Sequence, residues 1–464
     1  MSSGYLKVRG NEIVDQDGKA VVLRGTSLGG WLNMENFLTG YPGTESFTRA
    51  AMLEVMGKEK YDFFFDRFLY HFFTEDDAKF LQSFGLNSLR LPFSYKHFED
   101  DMSPRQLKEE GFKHLDRVID LCSSHGIYTI LDMHTVPGCQ NQDWHSDNHT
   151  SYAAFWDFKD HQDRTVWLWE ALARRYKDNP WVAGFNLLNE PADPEQTRVA
   201  EFYGRLERAI RAIDPNHILF LDGNTYAMEW KGFKDILPNS IYAVHDYSMM
   251  GFPSGPRYKG TAEQKAKLKQ QFSRKIEFHR SHNVPIWNGE FGAVYETEGP
   301  GADEKNQERY QLLGEQLRVY EENRISWAIW TYKGSGIMDM IHTSPESSWG
   351  KLTKSFMERK KHLQVDSMTG SPSEEVDSLI NPLVAWIDKV SPSATKTYPS
   401  NWNTRIHVIR NIFHTFLASS LCGEFAELFR GKSEQELEEL AQSFSFKSCV
   451  HREGLNRVLS NWVV

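Results

Sequence analysis

The chain is poor in cysteine, has no long apolar run and carries no excess of positive charge. Its four cysteines, Cys122, Cys139, Cys422 and Cys449, are scattered through 464 residues. None of them pairs at metal-ligand spacing, which argues against a zinc ribbon or a disulfide framework. No apolar run reaches the roughly 18 residues of a membrane-spanning helix. The segment Met1–Arg9 lacks the apolar core of a secretory leader, so the sequence reads as cytoplasmic and the sequon at Asn148–Thr150 is expected to go unused. A chain beginning after a removed leader would read the same. Lys and Arg total 53 against 63 Asp and Glu, a net charge of −10. That balance lacks the basic footprint of a nucleic-acid binder. Repeats and low-complexity tracts are also missing, and 25% charged with 40% hydrophobic residues excludes disorder. What is plentiful is aromatic: Phe, Tyr and Trp make up 13% of the chain. Aromatic rings fill cores, but they also make platforms for flat ligands.

A chain of this length holds about three average domains, but the pattern favours one large unit. Residues 5 to 23 read as a β-hairpin around Asp15–Gly18. Eight short apolar runs follow as candidate strands: Ala20–Arg24, Leu86–Pro92, Tyr128–His134, Val182–Glu190, Ile218–Asp222, Ile241–Tyr247, Pro285–Phe291 and Ser326–Tyr332. Amphipathic stretches such as Gly111–His125, Arg164–Lys177, Glu195–Ile213, Ala262–His282 and Asn306–Asn323 separate most of them. Near-continuous apolar strands alternating with helices are the mark of parallel β/α units. Eight such units predict an α/β fold, a (β/α)8 TIM barrel over residues 1–340. An open doubly wound sheet is the alternative, but the glycines form no dinucleotide fingerprint. Residues 341–464 read as a helical extension packed on the barrel. Thr369–Glu375 is a plausible linker within it, and Ile406, Ile409, Phe413, Phe416 and Leu417 fall on one helical face.

Barrel chemistry belongs at the C-terminal ends of the strands. Those ends carry Arg90, His134, Asn189 with Glu190, Asn224, His245 with Tyr247, Glu290 and Trp330. Two carboxylates stand out, because a charge ending an apolar strand is costly unless paired or solvated. Glu190 and Glu290, facing one cavity, have what hydrolysis of a glycosidic bond needs: one carboxyl protonated to release the alcohol, one ionised to attack or to activate water. Arg90 and Tyr247 are placed to hold one of them ionised, Asn189 to bind a sugar 2-hydroxyl, and Trp330 to be a stacking platform.

Taken together, Leu23–Trp31, Arg90-Leu-Pro92, Leu131-Asp-Met-His134, Pro137–Asn141, Leu187-Leu-Asn-Glu-Pro191, His245-Asp-Tyr247, Gly289-Glu290 and Trp327–Trp330 resemble glycoside hydrolase family 5. The likeness is nearest to its fungal exo-β-1,3-glucanase and β-glucosidase-like members and spans roughly residues 5 to 335. The resemblance implies a (β/α)8 barrel and a retaining, double-displacement mechanism. It makes Glu190 the acid/base and Glu290 the nucleophile, with Arg90, His134, Asn189, His245, Tyr247 and Trp330 around them, and Glu35 closing the pocket on a terminal sugar. Ser27, where the family often has Asn, and Ser248–Pro253 depart from the pattern, and the tail lies outside it.

The expected activity is therefore removal of a terminal β-linked glucosyl or related hexosyl unit from a carbohydrate or glucoside, with no cofactor and no metal. An endo-β-1,4-glucanase or mannanase, a β-glucosidase for glycolipids or small glucosides, and an inactive carbohydrate-binding barrel are the alternatives. The insertions Met34–Glu75 and Gln140–Lys159 favour a walled pocket over a through-cleft. No protein partner is readable. Met249–Phe252 is read as an ordinary packed loop, with an apolar aglycone site as the second reading. Asp143, His145, Asp147 and His149 alternate like metal ligands, but in so polar a loop they are expected to be solvated. Glu434–Glu439 reads as a solvated helix face, and Cys139 has no base that would make it a nucleophile. Of the aromatics, Trp31, Tyr95, Trp144, Tyr247, Trp287 and Trp330 lie near strand ends where a sugar would stack, while Phe63–Phe73 look like helix packing.

Overall fold

A computed structural model describes residues 4–366, 368, 373–393 and 396–462. Eight parallel strands close into a barrel in chain order: β1 (Arg24–Ser27), β2 (Ser88–Ser94), β3 (Tyr128–Thr135), β4 (Val182–Asn186), β5 (Ile218–Asp222), β6 (Ser240–His245), β7 (Ile286–Glu290) and β8 (Ser326–Ile329). Helices run outside between them, so the strands are covered on both faces and every residue of β2, β4, β5 and β6 is buried. Close strand approach demands small residues: a Cβ on Gly184 would lie 2.0 Å from the carbonyl oxygen of Ile218 on the next strand.

The N-terminal segment is a three-stranded antiparallel sheet rather than a two-stranded hairpin: Lys7–Arg9 pairs with Glu12–Val14, which pairs with Ala20–Val21. Its Leu6, Ile13 and neighbouring Leu23 join Ile130, Ala183, Ile218 and Trp287 in one apolar cluster that floors the barrel. This corrects the first expected strand. Residues 20–21 are spent on that sheet, and the barrel strand is the polar Arg24–Ser27, which starts where the apolar run ends. Its polarity hides it in the sequence. Thr26 and Ser27 are fully buried, and the Thr26 hydroxyl donates to the carbonyl of Ile329 at 3.1 Å. Several strands also end earlier than expected, so Asn189, Glu190, Tyr247 and Trp330 stand just beyond the ladder.

The extension is helical and packs on the barrel. Its main helices are Ser348–Leu363, Glu374–Val390, Glu434–Gln442 and Glu453–Ser460. The linker residues 369–372 lie outside the described residues, while Ser373 caps the helix that begins at Glu374. Most of the docking is aromatic. Phe64 stacks on Trp349 at 6.2 Å, and Phe68 meets Phe444 edge-on at 4.9 Å. The helix Glu434–Gln442 is not merely solvated: Leu437, Leu440 and Ala441 are buried, and Glu438 pairs with Arg67 at 2.6 Å and His71 at 2.8 Å. The expected apolar face around Ile406–Leu417 turns out differently. Residues Ile409–Leu417 form a π-helix, whose i→i+5 spacing shifts the periodicity assumed for an α-helix. His414 and Thr415 are buried there, while Phe416 is 74% exposed. The strand Cys449–His451 then pairs with Ile341–Thr343, stitching the end of the chain to the exit of the barrel. The four cysteines are free, and no helix among the described residues is long and apolar enough to cross a membrane.

One buried cation ties these layers together. Lys333, fully buried just after β8, donates to the Asp77 carboxylate at 2.7 Å, the Phe72 carbonyl at 2.7 Å and the Phe444 carbonyl of the extension at 2.8 Å. Removing one partner of such a pair strands the other charge without solvent. Lys333→Met is therefore expected to lower stability by about 3–5 kcal/mol, measured by denaturant unfolding. A loss below about 1 kcal/mol would contradict this role, since that is the worth of an exposed pair.

Candidate active site

The strand ends converge on a cavity of about 640 Å³. Arg90, on β2, is completely buried beneath it. Such a charge is tolerable only when compensated on all sides. Its guanidinium donates to Glu290 at 2.5 Å and Asn189 at 2.6 Å, bonds Asn186 at 3.2 Å, and lies 3.1 Å from Asp132. These carboxylates outweigh the cost of burial and raise its proton affinity further. Glu290 ends β7. Its second oxygen accepts a 2.9 Å hydrogen bond from Tyr247.

Glu190 leaves β4 in an unusual backbone conformation, φ +47°, in the left-handed region disfavoured for side chains. Two bonds hold it there. Its N–H donates to Asp222 at 2.9 Å, and its carbonyl accepts from Asn141 at 3.0 Å. The carboxylate is gripped by two imidazoles: His245 Nδ1 lies 2.6 Å from Oε1 and His145 Nε2 lies 3.1 Å from Oε2. Burial alone would raise the Glu190 pKa. The bonds from His145 and then His245 outweigh it and hold the carboxyl below the usual range. Burial works against a cationic His245, but Glu290, Asp222 and Glu190 raise its proton affinity. Asp222, buried beneath, is pushed up to about 6 by desolvation. One donor atom each from Glu190, His245 and Glu290 lie within 4.8 Å of one another. That density could hold a metal ion. It also brings one oxygen of each carboxylate within 4.8 Å of the other, so that both can reach one bond.

A second chain of groups runs from Asp132 through His134 (2.7 Å to Nδ1) to Glu35 (3.1 Å from Nε2). His134 stacks against Trp330 at 5.4 Å and 14°. Desolvation disfavours its charge, yet Asp132 and Glu35 push its pKa up to about 10. Burial raises that of Glu35, with His134 opposing. Of the residues singled out by sequence, Glu35, Arg90, His134, Asn189, Glu190, His245, Tyr247, Glu290 and Trp330 come together in this cluster. Asn224 is not: it bonds the backbone of Asp193 and holds a loop.

Other residues at the site escaped the sequence reading. Asp132, Asn186 and Asp222 sit on the strands themselves, one or two turns of the pleat below the residues that were noticed. The expectation that Asp143 and His145 are solvated fails: both line the cavity, Asp143 and Asp147 are buried, and Asp147 binds Ser46. His149 alone of the four is exposed. Of the aromatics, Trp144, Tyr247 and Trp330 line the cavity, whereas Trp31, Tyr95 and Trp287 do not. Met249 and Phe252 line it too, while Met250 packs below against Tyr258, Leu268 and Leu312, as the packed-loop reading expects. The extension supplies Trp402 and Arg410 to the same wall, which nothing in the tail's sequence announces. Burial pushes the Cys139 thiol up to about 12, which leaves it unreactive.

Residues 58–336 match the profile of the cellulase family, glycosyl hydrolase family 5. A β-xylosidase of Phanerodontia chrysosporium is 50% identical over 98% of both chains. The chain belongs to glycoside hydrolase family 5. More distant relatives bear other names. Endoglucanase C of Acetivibrio thermocellus is 27% identical over 67% of this chain and 90% of its own. A probable glucan 1,3-β-glucosidase A of Aspergillus fumigatus is 25% identical over 68% of this chain and 83% of its own. The family match ends before residue 340, but the xylosidase likeness runs on through the extension, so that segment is shared with a relative.

The raised His134 pKa makes a stability prediction. A histidine whose folded pKa stands above its unfolded value of about 6.5 stabilises fully below that pH and loses the contribution as pH rises through the folded value. The gap in melting temperature between wild type and His134→Gln is thus expected to be widest near pH 6 and to close toward about pH 10. A gap constant across that range would refute the assignment.

Proposed function

We propose that this enzyme is a retaining β-glycosidase that removes a single terminal sugar, with Glu290 as nucleophile and Glu190 as acid/base. The closeness of the two carboxyl groups, with their opposite surroundings, carries the reading. Glu290 faces a fixed guanidinium and a phenol, neither of which gives up a proton readily: both stand above their usual pKa. Glu190 faces two imidazoles, groups able both to give and to take a proton. In the first step Glu290 attacks the anomeric carbon while a proton passes through Glu190 to the leaving oxygen. The His245 imidazole, whose Nδ1 lies 2.6 Å from Oε1, is placed to supply that proton. In the second step water attacks the same carbon, gives its proton to Glu190 and releases the sugar.

Exo action is supported by the walls. Glu35 and Phe37 from the first insertion, Trp144 and His145 from the second, and Trp402 with Arg410 from the extension surround the carboxylates. Glu35, His134 and Trp330 line the end of the cavity assigned to the terminal sugar. A β-xylosyl unit is favoured there by the half-identical xylosidase, with β-glucosyl, the unit expected from sequence, as the second reading.

Two measurements test this. Glu290→Ala is expected to leave no turnover above background. Glu190→Ala should lose roughly 10²- to 10⁴-fold on alkyl glycosides and far less on aryl glycosides whose leaving group needs no proton. On xylo- and gluco-oligosaccharides the first product should be the monosaccharide. Early release of longer fragments would overturn the exo reading, and near-wild-type activity of Glu290→Ala the mechanism.

A further inference from the structure

The two ends of the cavity are wired differently. On one side Glu290 is tied to Arg90 and, through Asn189 and Asp132, to His134 and Glu35. On the other, Glu190 is tied to His145, and His145 to the extension. His145 Nε2 faces Glu190 Oε2 at 3.1 Å, and its Nδ1 lies 3.8 Å from Asp143 Oδ2. Asp143 is buried and fixed by a hydrogen bond from the Trp144 N–H at 3.0 Å. Its carboxylate forms an ion pair with Arg410, in the π-helix of the extension. Arg410 is itself set by Trp402, with its guanidinium 4.4 Å above the indole, and Trp402 stacks on Tyr226 at 6.0 Å and 17°. Tyr226 in turn touches the His145 ring at 6.2 Å.

We propose that His145 is a positioning residue for the acid/base Glu190, and that the C-terminal extension tunes it through the Arg410–Asp143 ion pair. The inference rests on the role given to Glu190 above. Its logic is charge alternation. Arg410 neutralises Asp143, so the carboxylate does not draw a proton onto His145, and His145 stays able to share the proton of Glu190. With Arg410 removed, Asp143 faces His145 alone and favours the imidazolium, which favours ionised Glu190 and costs the acid its proton. With His145 removed, Glu190 loses a partner that stabilises its charge and holds the proton more tightly.

The other groups facing this pair are accounted for. From β6, His245 touches Glu190; from β5, Asp222 lies below both; from β7, Glu290 stands across the cavity with Arg90 behind it. Tyr247 bonds Glu290, Tyr226 comes from the loop after β5, and Glu35 with His134, whose ring is 6.3 Å away, faces His145 from the sugar side. None of these contacts the Arg410–Asp143 pair. His414, on the same helix as Arg410, does feel that charge: burial and then Arg410 hold its proton affinity down, so the double variant with His145→Gln is what separates the relay from His414.

The test is the pH dependence of kcat/KM on an alkyl β-glycoside and on a dinitrophenyl β-glycoside, in wild type and variants of the full chain. His145→Gln is expected to move the alkaline limb up, and Arg410→Met to move it down, each by about half a pH unit or more. Arg410→Lys should restore the wild-type limb. In the double variant Arg410→Met should add nothing to His145→Gln. Rate losses should fall on the alkyl substrate and largely spare the dinitrophenyl one. If melting shows Arg410→Met to be unfolded, Asp143→Asn replaces it, and its limb should move up. An unmoved limb with equal losses on both substrates would reduce these residues to scaffolding and overturn the inference. So would an Arg410 effect that persists without His145. Glu190→Ala run alongside separates the two levels: if it retains full alkyl-glycoside activity the assignment of Glu190 fails, and if it does not, an unmoved limb defeats only the relay.

Discussion

A guanidinium with no access to water organises the candidate active site. Arg90 is buried among barrel strands, where an unpaired charge would be prohibitively costly. Its position forces acceptors onto the neighbouring strands: Asp132 on β3, Asn186 and Asn189 at the end of β4, Glu290 on β7. Each of those is fixed by the same requirement and passes it outward. Asp132 orients His134, His134 meets Glu35, and Asn186 bonds Asp222, which holds the backbone of Glu190. The strained conformation of Glu190 survives because its neighbours leave it no alternative. A single buried charge thus sets both carboxylates, and the barrel supplies the rigidity that keeps them close.

Much of this was legible in the sequence because barrels write their chemistry in one place. A polar residue at the end of an apolar run stands out, and Arg90, His134, Glu190, His245 and Glu290 were each found that way. The fold itself followed from the alternation of such runs with amphipathic stretches. Where the pattern misled, the causes are physical. The first barrel strand is polar, with the Thr26 hydroxyl bonded to the carbonyl of Ile329 and Ser27 buried beside it, so it does not look like a strand. Asp132, Asn186 and Asp222 sit among apolar neighbours, where composition hides them. Asn224 stands out because it follows the apolar run of β5, yet it is Asp222, inside the run, that bonds the Glu190 N–H and Asn186.

Loops and tail were legible in a different degree. The alternating Asp and His of residues 143–149 read as solvated, yet Asp143 and Asp147 are buried and Asp143 and His145 line the cavity. Local sequence cannot tell that a second layer, more than two hundred residues later, folds over them. The same holds for Trp402 and Arg410, whose neighbours at the site come from the barrel. The aromatic excess divides along this line. Only a few rings face the cavity, and many more, from Phe64 to Phe444, fasten the extension to the barrel.

That fastening has a consequence for how the enzyme comes into being. A chain made from its N-terminus completes all eight strands, and with them both carboxylates, before residue 340. The wall beside Glu190 arrives only with Trp402 and Arg410, and Lys333 waits longer still for the Phe444 carbonyl. During synthesis the barrel therefore passes through a stage in which its reactive groups are assembled while one side of the cavity stands open. Those rings and hydrogen bonds, not the peptide link alone, are what keep the wall in place once it has arrived.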